Sequence, residues 1–285
     1  MNNGRIVLIG VRRGWAEHLQ FLRSRREMVG GLLGTVVMFV VMVRWQGGTD
    51  VPGTDASRAV LMAAGFLAFC VSSVALMNLP MVITADREQG ALLRLRTIPG
   101  GLSAYLVGRA VAVLCQLGTY VVVMLAAGLM FTRLTLPTAP VDWLTLVWVL
   151  GLGVTAVVPL GAALGAVLPG PRSAASLVSL PVTGLLIISG LLFPVTSLPE
   201  PVQWIAQAFP LYWQGLGLRS VFLPHSMLAA EIGHSWRPVQ TAAVLAAWSL
   251  AGMILASWLL RRTTRRESGT RLTERQQRLA VQGGY

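Results

Sequence analysis

The 285-residue chain is 54% apolar, with a mean hydropathy of +0.66 and only 12% charged residues, against about 25% charged in a water-soluble domain. That composition excludes an ordinary soluble fold and makes the bilayer the solvent. All 23 positive residues are arginine, and without lysine the phosphate-binding G-x-x-x-x-G-K-[ST] loop cannot form, so any ATP energy must come from another polypeptide. Cys70 and Cys115 lie in apolar runs and read as small buried hydrophobes, not as a disulfide or a metal pair.

Residues 1–27 form the first segment. In RIVLIGVRRGWAEHLQFLRSRREM, steps of three and four place Leu8, Val11, Trp15, Leu19 and Leu22 on one helical face, with Arg12, Arg13, Glu17, Gln20 and Arg23 on the others. The pattern predicts an interfacial helix lying on the membrane, apolar face down and arginines toward anionic head groups. His18 falls on its polar side and reads as a solvated residue.

A span needs about 20 apolar residues, and six stretches approach or reach that length: 28–43, 59–85, 107–131, 143–168, 174–193 and 241–260. The first is the shortest, and Arg44 and Trp45 after it suit a snorkelling arginine and an interfacial tryptophan. It is not a secretory signal, because 27 residues precede it and no small-x-small cleavage site follows. Residues 28–260 are therefore expected to be a six-span domain.

The second and third spans are joined by residues 86–101, DREQGALLRLRTIPGG. Asp86 and Glu88 open a short amphipathic helix that Pro99 and Gly100 stop. Alone, this reads equally as a packed loop. Ser72, Ser73 and Asn78 in the second span, with Gln116 and Tyr120 in the third, are the polar groups suited to line a path; they are equally explained as inter-helix hydrogen bonds worth about 0.6 kcal/mol each. Arg109, two residues inside the third span, is expected to snorkel. The fourth span holds Gly151, Gly153, Pro159, Gly161 and Gly165, devices for close helix packing and a kink.

Residues 194–240 are too long and too apolar for a solvated loop. Trp204, Phe209, Tyr212 and Trp213 are interleaved there with Pro199, Pro201, Pro210 and Pro224, which predicts re-entrant outer half-helices with the aromatics at head-group depth. Residues 261–285 form a basic tail. Seventeen arginines fall on the side of the termini, so the positive-inside rule puts both ends in the cytoplasm and accounts for the net charge of +12 without nucleic acid. The expected class is all-α, a polytopic membrane protein of six transmembrane helices.

Three segments together resemble a known family, the membrane permease subunits of type-2 ABC transporters, especially bacterial drug and antibiotic exporters. They are the basic helix before the first span, DREQGALLRLRTIPG, and SGLLFPVTSLPEPVQWIAQAFPLYWQGLGLR. Asp86 stands where the family commonly has glutamate, and Ile98 separates Thr97 from Pro99. The resemblance implies a half-transporter in the bacterial inner membrane: two permease subunits form the path for a hydrophobic or amphiphilic solute, and separate ATPase subunits bind ATP and magnesium, leaving this chain without a cofactor. It implies that Asp86, Arg87, Glu88, Gly90, Leu92 and Leu93 contact the ATPase.

The rivals are a lipid- or polysaccharide-exporting relative, a membrane scaffold and a membrane enzyme. For the last, His18, His225 and His234 offer no H-E-x-x-H spacing and the chain has no G-x-S-x-G elbow. Glu231 and His234 are only a weak metal hint.

Overall fold

Apolar runs of this length fold as helices because a helix satisfies its own backbone hydrogen bonds where no water can. A computed structural model of the protein describes residues 3–259 apart from residue 97; the basic tail lies outside the described residues. The helices are α1 (Asn3–Arg23), α2 (Arg25–Gln46), α3 (Arg58–Glu88), α4 (Ala91–Arg96), α5 (Gly101–Phe131), α6 (Pro140–Val167), α7 (Pro171–Ile188), α8 (Glu200–Ala208), α9 (Pro210–Phe222) and α10 (Pro238–Leu259). The single β-bridge among the described residues pairs Asp50 with Ser57.

Five of these helices, α2, α3, α5, α6 and α10, are long and apolar enough to cross a membrane. The other expected span, residues 174–193, is the 18-residue α7, which begins with Pro171 and Arg172, contains Pro181 and stops where Gly190 turns the chain at φ +71°. Its polar first turns and early stop set it apart from the five. Of those, α2 outruns the apolar stretch 28–43 equally at both ends, back to Arg25 and on to Gln46.

The centre of the bundle is α3, buried throughout residues 59–68. Pro80 has no N–H to return to the preceding turn, and α3 widens into a π-helical segment over Val74–Asn78 just before it. Against this segment lies Gly161 of α6: a Cβ there would sit 1.8 Å from the Ala75 carbonyl oxygen, so only glycine allows the approach. Gly165 meets Ile83 and Pro80 in the same way. Gly153, Gly161 and Gly165 of α6 therefore pack within the chain, whereas Gly151 is exposed with no neighbouring atom within 4 Å of a Cβ.

Between α7 and α10 the chain forms short 3₁₀ turns around α8 and α9. Trp204 on α8 is 67% exposed, Phe209 is half-buried, and Tyr212 and Trp213 are buried. Tyr212 and Trp213 therefore face the protein interior, and Trp204 the surface. Gly217 lets α9 close on Val149, and Gly65 lets α3 close on the backbone at Leu191, so α9 packs against α3 and α6 inside the bundle.

At its far end Arg219 is 1% exposed, as is Glu231. The guanidinium donates from Nε to Oε1 at 2.6 Å, from Nη2 to Oε2 at 3.2 Å and from Nη1 to the Gly190 carbonyl at 3.1 Å. Glu231 is thereby engaged by arginine, and no group of three or more metal-ligating side chains occurs among the described residues. Tyr212 donates nothing to this pair; burial and the Glu231 carboxylate raise its pKa, and its neutral hydroxyl accepts from Arg237.

Candidate functional site

The helix of the second span does not end where the apolar run ends. It continues through Asp86 and Glu88, and Gly90, in the left-handed region at φ +67°, makes the turn into α4. The two carboxylates therefore close α3 and do not open the connecting helix, a correction with a clear cause: nothing between Ala85 and Glu88 breaks a helix. An acid in a last turn opposes the helix dipole, so Asp86 needs a cation.

That cation is Arg109 of α5, whose Nη2 lies 2.7 Å from Asp86 Oδ2; the Tyr105 hydroxyl donates to the same oxygen at 2.7 Å. Arg109 Nη1 also lies 3.0 Å from Glu17 of α1, and Glu17 accepts from Arg13 Nε at 3.0 Å. Arg13 and Arg109 sit over the Tyr105 ring, 5.0 and 5.5 Å from its centroid. An arginine alone at the bilayer centre costs about 2.5–3.5 kcal/mol. Here it is paired with two carboxylates, and the expected snorkelling gives way to a cluster that joins α1, α3 and α5. Neighbouring Arg87 donates from Nη1 to the carbonyls of Gly165, Ala166 and Leu168, at 3.1, 2.7 and 3.3 Å, capping the C-terminal end of α6.

Asp86 and Arg87 are thus engaged inside the bundle, while Glu88 is exposed and reaches over Gly170. Leu92 and Leu93 lie on α4; their side chains lie outside the described residues.

The first helix packs lengthwise on α5. A Cβ on Gly10 would sit 2.7 Å from Val107 Cβ, and one on Gly14 would sit 2.4 Å from the Gly108 carbonyl, so this seam depends on bare backbone. His18 and Phe21 complete the buried face. His18 is 6% exposed, lies between the rings of Trp15 and Phe21, and has Nε2 3.4 Å from the Thr119 hydroxyl. It is no solvated residue: the glycine seam draws its face inward. Leu8 and Trp15 are each 53% exposed, Val11 and Leu22 are also exposed, and Leu19 is half-buried. Most of the apolar face is exposed while the small-residue face holds the helix against α5.

An open cleft of about 920 Å³ lies between α1, the start of α2, the second half of α3 and the first half of α5. The ion-pair cluster forms part of its wall, and Asn78, Gln116 and Tyr120 line it. Ser72 and Ser73, grouped with them in the sequence reading, lie elsewhere: Ser72 is fully buried and Ser73 bonds the Cys70 carbonyl in its own helix. Glu17 and Tyr105 are not singled out by the sequence as partners of Arg109, which is expected there only to snorkel. A lone arginine within a span, with few acids in the whole chain, was the available signal, since such a charge requires an acidic partner.

The family described as ABC-2 type transporter matches residues 13–223, which span the cluster, the connecting helix and the outer segment through α9. The chain belongs to that family. As an ABC-2 membrane domain it is the permease component of an ABC transporter, a membrane protein whose family works with an ABC ATPase and is usually non-catalytic itself. No curated relative matches the chain.

Proposed function

We propose that this ABC-2 permease is half of a bacterial exporter that carries a hydrophobic or amphiphilic solute, such as a drug, an antibiotic or a lipid-like molecule, from the cytoplasm or inner leaflet. It sits in the inner membrane with six crossings, α7 being the fifth, and both termini cytoplasmic. The segment from α8 to the start of α10 re-enters from the outer face. Two permease subunits form the path, and a cytoplasmic ATPase pair holds the ATP and magnesium.

One observation carries the reading. Beneath the end of α3, the short helix α4 hangs on Gly90, and Asp86 just above that turn is locked through Arg109 and Glu17 to α5 and α1. A push on α4 therefore reaches three helices through short charged contacts, and Arg87 passes it to α6. In this scheme Glu88, Leu92 and Leu93 touch the ATPase, Gly90 sets the angle of α4, and Asp86 and Arg87 transmit the movement. Packed helices respond by shifting between discrete arrangements, as alternating access requires.

The test is co-purification of the chain with ABC ATPases of its own organism, combined with transport and ATP hydrolysis assays. The permease alone hydrolyses no ATP. Glu88→Ala and Leu92→Ala uncouple hydrolysis from transport while membrane insertion persists; unchanged binding and transport in both variants overturn the assignment.

A further inference from the structure

The cleft beside the ion-pair cluster has features that the coupling role does not use. It is not sealed, and its wall mixes an apolar edge, Met81 and Val82 of α3, both exposed, with a polar interior. That interior holds buried hydrogen-bonding capacity without a partner: His18 Nδ1 and Arg109 Nε make no hydrogen bond, although His18 is 6% exposed. Buried polar atoms are normally satisfied, and an orphan facing a cavity points to an occupant.

The charges of the lining balance: Arg13, Arg26 and Arg109 stand against Glu17, Glu27 and Asp86. Four of the six neutralise one another in the cluster. Arg26 and Glu27, adjacent in sequence and exposed, have no ion pair among the described residues. The lining therefore includes one cation and one anion without an ion pair, on consecutive residues of α2, in a cleft with an apolar edge.

We infer that the cleft binds the polar head of a zwitterionic amphiphile, Arg26 taking the anionic group and Glu27 the cationic one, while the chain of the amphiphile leaves past Met81 and Val82. His18 Nδ1 and Arg109 Nε supply buried hydrogen-bonding positions in the same lining. A head bearing only negative charge satisfies Arg26 but is repelled by Glu27, so the pair selects for both signs. The inference rests on the membrane-embedded permease reading, because that places the cleft within reach of a leaflet. Two sources share this chemistry: a resident phospholipid and the transported solute.

Native mass spectrometry of the purified full chain, titrated with phosphatidylethanolamine and with phosphatidylglycerol of the same acyl chains, is the test. The zwitterionic lipid binds about tenfold more tightly, the effect of one charged contact. Glu27→Gln abolishes that preference, and Arg26→Gln weakens both lipids. Both side chains are exposed, so a wild-type melting temperature in each variant confirms that the fold is intact. Equal affinity of the wild type for the two lipids, or an unchanged preference in Glu27→Gln, overturns the inference. With the ATPase in vesicles, ATP-driven movement of labelled phosphatidylethanolamine identifies the occupant as cargo, and retention through turnover identifies it as a resident lipid; either result keeps the site. Lipid preference without any ATPase binding overturns the transport reading and leaves the cleft standing. Coupled transport without lipid preference does the reverse.

Discussion

Removing the guanidinium of Arg219 tests how the outer segment is held. Arg219→Met keeps an unbranched, flexible stem, shorter by the guanidinium, and leaves Glu231, 1% exposed, with a buried carboxylate facing no cation. Three donor contacts of 2.6, 3.2 and 3.1 Å are lost together, the last of them to the Gly190 carbonyl that ends the turn after α7. Breaking one side of a buried pair costs about 3–5 kcal/mol, because the surviving charge keeps its desolvation penalty. Glu231→Gln should cost a similar amount from the other side, stranding the arginine. The double variant Arg219→Met/Glu231→Met carries no stranded charge and is expected to recover most of the loss, because a buried pair and an apolar replacement of similar volume are close in free energy. Equilibrium unfolding in mild detergent, followed by tryptophan fluorescence, gives the cycle directly, with Trp213 buried on the same helix. Single-variant losses below about 1 kcal/mol, or losses that simply add in the double variant, would refute the buried-strut account.

Three further outcomes follow from particular contacts. Gly161→Ala drives a Cβ against the Ala75 carbonyl and is expected to destabilise by about 3 kcal/mol, whereas Gly118→Ala, with no neighbouring atom within 4 Å, leaves the melting temperature unchanged or slightly higher. Arg109→Met strands Asp86 and Glu17, which are partly exposed, so the loss is smaller, about 1.5–3 kcal/mol; protease cleavage of α1 in vesicles should accelerate as its tie to α5 loosens. Gly90→Ala forces a Cβ into the left-handed region at about 1 kcal/mol; with open space around it, the expected signature is intact stability with reduced ATPase coupling.

The all-helical membrane class and the run of apolar stretches were legible because hydropathy acts locally: each helix satisfies its own backbone and needs no distant partner; the stretch 174–193 was less so, its helix running from Pro171 only to Ile188. The same holds for the apolar face Leu8, Val11, Trp15 and Leu22, which a 3.6-residue period reveals and which is exposed in the fold. The connection at residue 86 was less legible. Asp86 and Glu88 fit a helix start by rule, yet they close α3, because Asp86 finds a cation across the bundle and the chain turns only at Gly90.

The sequence by itself determined that this protein lives in lipid and carries no lysine-bearing nucleotide loop, since both follow from which residue types are present. Only the tertiary structure decided that Arg109 joins Asp86 and Glu17, that His18 is buried, and that Tyr212 and Trp213 face the core. Glu17 and Arg109 lie 92 positions apart, and no periodicity along one helix specifies which charge on another will stand 3.0 Å away. Close approach is set by pairs of surfaces, here the bare backbones of Gly10, Gly14 and Gly161 against their neighbours, and such pairing exists only once the helices are packed.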